Sequence, residues 1–433
     1  MTMDGEARVL RDADLRIEGG RITAIGSARE DDDVAVRDLG GKIVLPGLVQ
    51  GHIHLGQTLF RALAEERRLL AWLSERIYPL EAAHDDESAY WSGLLGAAEC
   101  LLSGTTTIQD IGIGPGIEGL VEAIAESGLR ALVGPCLMDS GPELPAALSK
   151  SSDEALQEAA RVAAEIGRYS RLSFVLNPRF ILSCSDALWD GIRSLAAEHE
   201  WPVHTHALEQ KEETEEVRAL KGGRDEITYF DEAGVLDLDL RLAHGVWLES
   251  QHLDALADRR VSVVHCPSSN LKLGSGLADV VAIRNHGLAV GIGCDGTPCN
   301  NDLDAFKELR LAALVQSVKH SPGALSGLEA LRLATSEGAR AIGLGDEIGS
   351  LEVGKAADLV VLDGERPELW AAPEADLHDV IAFGASRAAV VDVMVDGEWL
   401  VEGGVLRHLD LGAIRASSTR AWAALKQRAG LNL

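Results

Sequence analysis

The 433-residue sequence lacks the marks of several large classes of protein. No apolar run approaches the ~20 residues needed to span a bilayer, and the first residues are acidic and polar, which predicts no secretory leader. Nor does the chain contain a phosphate-binding Walker motif, a dinucleotide fingerprint or a low-complexity tract. These absences argue against a membrane protein and against the common nucleotide-binding folds.

Basic residues are also scarce. The chain has 40 Lys and Arg against 68 Asp and Glu, which leaves a formal net charge of -28. Such a surface repels the phosphates of nucleic acid and the headgroups of an anionic membrane. We therefore expect neither nucleic acid nor a membrane as a partner.

Cysteine is a third scarce residue. There are six, at positions 100, 136, 184, 266, 294 and 299, and most lie in apolar segments. This usage fits a reducing compartment, so we expect a cytoplasmic protein. Cys294 and Cys299 suggest a thiolate zinc site, but such a site needs a second cysteine pair that the sequence lacks.

What the sequence does contain is a regular alternation of apolar runs and helical segments. Eight short apolar runs, typical of buried strands, fall between about residue 45 and residue 296. They start near Ile43, Thr105, Leu129, Leu172, Pro202, Arg241, Val261 and Leu288. Strand followed by helix, eight times, predicts an α/β fold, a (β/α)8 TIM barrel, whose active site lies at the carboxyl ends of its strands.

The two ends of the chain have a different pattern. Residues 1–48 and 350–433 carry short β-like runs separated by turn signals. We predict that both ends form one small β-sandwich domain beside a barrel of residues 49–349, with a terminal helix after the last strand. The alternative is that these ends only extend the loops of the barrel. A barrel of ~250 residues plus a side domain accounts for the length.

Histidines stand at the ends of two predicted strands. His52 and His54 close the first run, and side chains two apart on a strand point to one face, so both imidazoles can meet one ion. His206 ends the fifth run, three residues before Glu209. His204 has the same parity and is a rival ligand. We favour His206 because it lies nearer the strand end and Glu209.

Two further ligand types close later runs. His244 ends an apolar run, and Asp295 ends a β-type run whose glycines let backbone approach closely. Singly, each has an ordinary explanation, as a core histidine or as the cap of the next helix. Together with the upstream histidines, they predict the metal site of a hydrolase. His265 also ends a strand, and we assign it a structural or orienting role.

These residues belong to an ordered series of motifs. In chain order the motifs are Pro46-Gly47-Leu48 before His52 and His54, Ser103-Gly104-Thr105-Thr106-Thr107, His206-Ala207-Leu208-Glu209, Ala243-His244, the stretch from His265 to Leu273, Asp295-Gly296, and the stretch from Gly349 to Leu359. With this series, the chain resembles the amidohydrolase superfamily over nearly its whole length. The resemblance is to the branch of cytosine, guanine and S-adenosylhomocysteine deaminases and triazine hydrolases.

The resemblance implies one divalent metal bound by four residues, His52, His54, His206 and Asp295. Three neutral imidazoles and a carboxylate suit zinc, which we expect, or ferrous iron. In the implied reaction, water attacks a ring carbon that bears an amino group, and ammonia leaves. Glu209, His244 and Asp295 are the implied catalytic residues. Glu209 protonates the adjacent ring nitrogen, Asp295 takes the water proton, and His244 hydrogen-bonds the new oxygen.

The end of the fourth predicted strand narrows the class of reaction. Relatives that hydrolyse cyclic amides bridge two metals with a modified lysine there, but this chain reads Leu176-Asn177-Pro178-Arg179-Phe180. We therefore expect a mononuclear site. A mononuclear site favours deamination of a heterocycle over hydrolysis of a cyclic amide.

Loops after the strands bear on the substrate. Gln57, Arg179 and Phe180 resemble residues that contact the purine in guanine deaminases, whereas the segments 54–61 and 295–304 resemble deaminases of adenosine derivatives. We favour the adenosine type, such as S-adenosylhomocysteine, methylthioadenosine or 5′-deoxyadenosine. The predicted substrate contacts are Gln57, Trp72, Arg179, Phe180 and Glu209. Arg179 has an alternative role in a salt bridge that holds a loop, and Gln57 in orienting a histidine.

Other functions stay open at this point. A guanine or pterin deaminase, and a triazine hydrolase that removes chloride or an alkylamine, would use the same site on a different ring. A non-catalytic scaffold would have lost metal ligands, whereas this sequence keeps all of them. By analogy with relatives, we expect a homodimer or homotetramer that binds a small heterocyclic molecule.

Overall fold

The computed structural model describes residues 1–26, 35–141 and 144–430. Its centre is a ring of eight parallel strands, most of whose residues are buried. Their bounds are Leu48–His54, Thr105–Asp110, Arg130–Val133, Leu172–Phe174, Val203–Ala207, Leu240–His244, Val261–His265 and Ala289–Ile292. Two-residue continuations of the third, fourth and eighth strands are Cys136–Leu137, Asn177–Pro178 and Asp295–Gly296.

The ring closes at two irregular places. Leu176 bridges the fourth strand to Val203 of the fifth. The eighth strand pairs with the seventh over its first part, and its continuation Asp295–Gly296 pairs instead with Ile53 and His54 of the first strand. The last strand therefore reaches the first one at Asp295.

The helices fall into two groups by length. The longer ones are Asp86–Leu102, Ile117–Ser127, Ser152–Ile166, Asp186–His199, Lys211–Leu220, Ala305–Lys319 and Leu411–Ala429. The shorter ones are Leu69–Trp72, Tyr78–Glu81, Glu226–Glu232, Ser250–Leu256, Pro267–Lys272, Val280–Asn285, Thr297–Asn300, Gly327–Leu333, Ser336–Ala341 and Leu377–Gly384. Turns of 3-10 helix span Leu55–Phe60, Ile181–Ser183, Val235–Asp237, Pro367–Leu369 and Arg387–Ala389, and a π-helical turn spans Leu73–Ile77.

Helix boundaries follow local sequence signals. Ser151 precedes the helix Ser152–Ile166, and its hydroxyl accepts the Glu154 N–H while the Glu154 carboxylate accepts the Ser151 N–H. This reciprocal capping box satisfies two backbone donors that would otherwise lack partners at the start of the helix.

The two ends of the chain meet in a second, antiparallel sheet. In spatial order its strands are Val405–Leu406, Glu398–Glu402, Val390–Val395, Leu359–Asp363 and Lys42–Pro46. A hairpin of Asp14–Glu18 and Arg21–Gly26 lies beside it. The structure thus confirms the predicted barrel with a small β-sandwich formed from both termini. The domain boundaries at 48/49 and 349/350 stay a prediction.

The strand expected to start near Ile43 needs a correction. Residues Lys42–Pro46 pair with Leu359–Asp363 in the terminal sheet, and the first barrel strand begins at Leu48. Gly47 separates the two strands, and a Cβ there would lie 2.1 Å from Thr106 Oγ1. One continuous apolar run therefore serves two sheets.

Within the described ranges, no helix combines the length and the apolar character needed to cross a membrane.

Candidate active site

Strand ends bring the four predicted metal ligands together. His54 Nε2 lies 3.3 Å from His206 Nε2 and 3.3 Å from Asp295 Oδ1, and His52 Nε2 lies 3.4 Å from the same oxygen. The ligand atoms of His52, His54 and His206 all lie within 4.8 Å of one another, as do those of His52, His244 and Asp295. We call His52, His54, His206 and Asp295 the ligand cluster.

The protonation of the ligand cluster suits a cation. Burial lowers the pKa of His52, His54 and His206, so these imidazoles are neutral and carry lone pairs. Burial alone would raise the pKa of Asp295, but contact with His52 and the nearby His54 and His244 lower it well below its usual value. His52 Nε2 is buried and makes no hydrogen bond to any described residue. A divalent ion therefore fits this donor set.

Two site residues have an uncommon backbone conformation. His244 has φ 74° and Asp295 has φ 61°, the left-handed region that non-glycine residues seldom adopt. Side-chain contacts hold both: His244 Nδ1 lies 2.9 Å from Asn270 Oδ1, and Ser269 Oγ donates to Asp295 Oδ2 at 2.6 Å. Strain of this kind persists only where the surroundings determine the conformation.

Glu209 lies beside the ligand cluster with its carboxyl group shielded from water. Its Oε2 is 3.4 Å from His244 Nε2, and Ser275 Oγ donates to its Oε1 at 3.3 Å. Burial, with a smaller contribution from Asp295, raises the pKa of Glu209 to about 8. At neutral pH the group therefore carries a proton that it can give to a bound molecule.

A cavity lined by apolar and ionisable side chains opens onto these groups. About 370 Å³ of space free of protein atoms lies within it, part of which is open solvent. Trp72, Arg179, Phe180 and Glu209, four of the predicted substrate contacts, line it. Gln57, the fifth, is fully buried and is not among the lining residues.

Gln57 and Arg179 both donate hydrogen bonds to the carboxylate of Glu81, a residue that no sequence motif predicted. Glu81 Oε1 accepts from Gln57 Nε2 at 2.7 Å, and Glu81 Oε2 accepts from Arg179 Nη1 at 2.6 Å. Gln57 Nε2 also lies 3.3 Å from His54 Nδ1. The only signal for Glu81 was one acidic residue in an apolar stretch, Tyr78-Pro79-Leu80-Glu81.

Other supporting residues were also missed. Glu213 accepts the backbone N–H of Glu209 at 2.9 Å and so fixes the position of that residue. Ser269 and Asn270 belong to the short helix Pro267–Lys272, where the sequence shows a motif but indicates no role for these two side chains. Ser275 follows two residues after that motif ends.

The remaining candidates lie outside the ligand cluster. His204 Nε2 is 3.0 Å from His52 Nδ1, on the side of that ring away from the cluster. His265 is buried, and neither of its ring nitrogens bonds a described residue. Cys294 and Cys299 are buried thiols, and neither belongs to a group of described residues that could hold a metal.

Known proteins share this architecture. The model of the Amidohydrolase family matches residues 43–400. The chain belongs to that family. It is 37% identical to a 5'-deoxyadenosine deaminase of Methanopyrus kandleri over 95% of each chain. It is 35% identical to a 5-methylthioadenosine/S-adenosylhomocysteine deaminase of Pelotomaculum thermopropionicum, over 97% of this chain and 95% of that one. Among solved structures, this amidohydrolase is similar to an adenosine deaminase of Xanthomonas campestris with bound zinc, at a TM-score of 0.89 and 31% identity, over 99% of this chain and 97% of that one.

Proposed function

We propose that this chain is a metal-dependent aminohydrolase that releases the exocyclic amino group of an adenosine derivative as ammonia. The observation that carries the proposal is the position of Glu209, a buried carboxyl group with a raised pKa, which lines the same cavity as His54, His206 and Asp295 of the ligand cluster. Similarity over nearly the full length to deaminases of adenosine derivatives supports the substrate class.

We propose one divalent ion, zinc, as the cofactor. The ligand cluster would hold it, and the neutral imidazoles and the ionised carboxylate match the donors that zinc prefers. When bound, such an ion activates water as a nucleophile near neutral pH. The zinc bound to the similar Xanthomonas adenosine deaminase supports this choice of metal.

Protons move through three residues of the chain. Glu209 donates its proton to the ring nitrogen next to the carbon that bears the amino group, which makes that carbon electrophilic. Asp295 accepts a proton from the attacking water, and this proton leaves with the amino group as ammonia. The proton of the new hydroxyl group returns to Glu209, which restores its carboxyl group and leaves a carbonyl on the ring. His244 Nδ1–H donates to Asn270 Oδ1, so its Nε2 keeps the lone pair and accepts a hydrogen bond from the new hydroxyl group.

The cavity suggests which residues hold the purine. The Trp72 Nε1–H is buried and has no acceptor among the described residues, so it is free to donate to an acceptor of the substrate. The Phe180 side chain lines the cavity and supplies an apolar surface for a flat ring. The contacts of Gln57 with His54 and Glu81 support an orienting role for Gln57 over direct substrate contact.

A substrate panel tests the proposal. The zinc-loaded protein is incubated with 5′-deoxyadenosine, guanine, a pterin, cytosine and a chloro- or amino-triazine, while ammonia release and ring absorbance are followed. We expect ammonia from 5′-deoxyadenosine. Ammonia from guanine or a pterin alone would show that the substrate is that ring and not an adenosine derivative. No reaction with any compound while zinc is bound would contradict the proposal.

The remaining expectations stay predictions. They are a homodimer or homotetramer, a cytoplasmic location, and the absence of nucleic-acid and membrane partners.

A further inference from the structure

Glu209 is the last member of a chain of hydrogen bonds that begins at its neighbour Gln210. The Gln210 Nε2 donates to Ser275 Oγ at 3.2 Å, and Ser275 Oγ donates to Glu209 Oε1 at 3.3 Å. All three side chains are 3% exposed or less, so water does not compete for these bonds. We call Gln210, Ser275 and Glu209 the relay.

Backbone groups fix which way the Gln210 amide points. The backbone N–H of Leu69 donates to Gln210 Oε1 at 3.4 Å, and the N–H of Glu213 donates to the same side chain. On the other side, Gln210 Nε2 donates to the backbone oxygen of Leu273 at 3.0 Å. A backbone N–H can only donate and a backbone oxygen can only accept, so a reversed amide would lose these bonds. The amide therefore points an N–H, and not its oxygen, at Ser275.

This amide determines how the Ser275 hydroxyl is used. Its oxygen accepts from Gln210, so its one hydrogen is left to donate. Within the described part of the chain, Glu209 Oε1 is the acceptor for that hydrogen. Oε1 is therefore the carbonyl oxygen of the protonated carboxyl group, and the proton lies on Oε2, 3.4 Å from His244 Nε2.

The same hydrogen bond also suits the product of proton transfer. When Glu209 donates, the O–H bond at Oε2 breaks as the N–H bond on the substrate ring forms, and the negative charge spreads over both carboxylate oxygens. The Ser275 hydroxyl still donates to Oε1, and a hydrogen bond to a charged acceptor is stronger than one to a neutral acceptor. The relay thus favours the transfer of the proton.

From this geometry, and resting on the proposed function, we infer that Gln210 and Ser275 are positioning residues that hold the transferable proton of Glu209 on Oε2. Neither belongs to the ligand cluster, and neither is among the residues that line the cavity. Both therefore act through Glu209.

Two variants of Ser275 test the inference. Ser275→Ala removes the hydroxyl group, whereas Ser275→Thr keeps it. With the zinc-loaded full-length protein and 5′-deoxyadenosine, we expect Ser275→Ala to lower kcat about tenfold, the effect of losing one hydrogen bond, without a change in KM or zinc content. Ser275→Thr should recover most of the rate. Ser262→Ala is the control, because Ser262 is also buried but bonds the backbone oxygen of Ala341, and it should keep the wild-type kcat.

Gln210→Glu tests the direction of the relay. A carboxylate can still accept from Leu69, but it offers Ser275 an acceptor in place of a donor, so the Ser275 hydrogen turns away from Glu209. We expect kcat to fall about as much as in Ser275→Ala. Because both changes remove the same hydrogen bond to Glu209, the double variant Gln210→Glu/Ser275→Ala should be no slower than the slower single variant.

Infrared spectroscopy locates the proton without turnover. At mildly acidic pH, the difference between the spectra of the wild type and Glu209→Gln isolates the C=O stretch of protonated Glu209. A carbonyl that accepts a hydrogen bond absorbs at lower frequency than one that does not. The same difference taken in the Ser275→Ala background should therefore show this stretch at higher frequency.

Each result supports or overturns the inference. A wild-type kcat in Ser275→Ala, or an unchanged C=O frequency in that variant, would overturn it while the proposed function holds. Losses that multiply in the double variant would also overturn it, since Gln210 and Ser275 would then act separately. If Gln210→Glu did not fold, the Ser275 variants and the infrared shift would decide alone. No deamination of any adenosine derivative by the wild type would instead overturn the proposed function.

Discussion

Glu209 is the residue at which the proposed proton transfer can be tested most directly. Glu209→Gln keeps the size of the side chain and the contact with Ser275 Oγ but removes the proton that burial holds on the carboxyl group. We expect the rate of deamination to fall by about 10²–10⁴, the usual contribution of general acid catalysis, while the zinc content stays unchanged. Ammonia release and metal analysis on the same sample measure both.

His206→Ala is the comparison for that variant, because it removes a member of the ligand cluster. It should lose zinc as well as activity. If Glu209→Gln deaminated at the normal rate, Glu209 would not be the proton donor.

His204 offers a second residue-scale prediction. For His52 Nε2 to present its lone pair to a cation, neutral His52 must carry its hydrogen on Nδ1 and donate it to His204 Nε2, 3.0 Å away. His204→Leu removes this acceptor, and we expect the affinity for zinc to fall about 10- to 100-fold, as for other partners of metal-binding histidines. Competition with a chelator measures the affinity.

His204→Gln is the matched control, because its side-chain oxygen can accept the same hydrogen bond. It should recover part of the loss. Equal zinc affinity of the wild type and His204→Leu would contradict an orienting role for His204.

Some site residues could be predicted from the sequence and others could not, for a physical reason. His52, His54, His206 and Asp295 could be found because each ends a strand, and parallel strand ends meet at one face of a barrel. Glu81 could not, because its role depends on contacts with Gln57 and Arg179, which lie 24 and 98 residues away in the chain. No pattern of neighbouring residues predicts contacts between residues so far apart in the sequence.

At the scale of elements, helix packing depends on small residues. The helices Asp86–Leu102 and Ile117–Ser127 pack closely, and a Cβ on Gly119 would lie 2.0 Å from the backbone oxygen of Asp86. Alanine favours an isolated helix by about 1 kcal/mol over glycine, but this overlap involves backbone that cannot turn aside. We expect Gly119→Ala to lower the free energy of unfolding by about 1–3 kcal/mol, as measured by urea denaturation.

Gly167 provides the control for Gly119. It ends the helix Ser152–Ile166 with φ -58°, and the nearest atom to its added Cβ would be 3.6 Å away. Gly167→Ala should therefore leave the unfolding midpoint nearly unchanged. Equal stability of Gly119→Ala and the wild type would show that the two helices can separate at little cost.

The elements themselves were largely predictable, and the places where strands change sheets were not. The alternation of runs placed strands such as Thr105–Asp110 and Val261–His265 from their first residue. The run from Lys42 to His54 looked like one strand because apolar residues continue across Gly47. The run divides into two strands because Thr106 packs closely against Gly47 and because Lys42–Pro46 pairs with Leu359–Asp363. Both contacts exist only in the folded chain.

At the scale of the whole molecule, the excess of negative charge has a cost. Self-repulsion from a net charge of -28 opposes the compact state. Raising the ionic strength from ~0.01 M to ~0.15 M shortens the screening length from ~30 Å to ~8 Å, so we expect the thermal unfolding midpoint to rise. Differential scanning calorimetry at the two salt concentrations measures the shift.

Choline chloride in place of sodium chloride separates screening from binding of a particular cation. The rise should be similar in both salts. A fall in the midpoint would mean that loss of surface ion pairs outweighs relief of the repulsion.

The pairing of Asp295 with Ile53 also affects how the chain is made on the ribosome. The first barrel strand leaves the ribosome well before the residues that cover its edge, and at ~5–20 residues per second the gap of about 240 residues lasts about 10–50 s. During that time, the first strand of the growing chain has an open edge, which is a template for aggregation. Nascent chains that stall before Asp295 should therefore depend on chaperones.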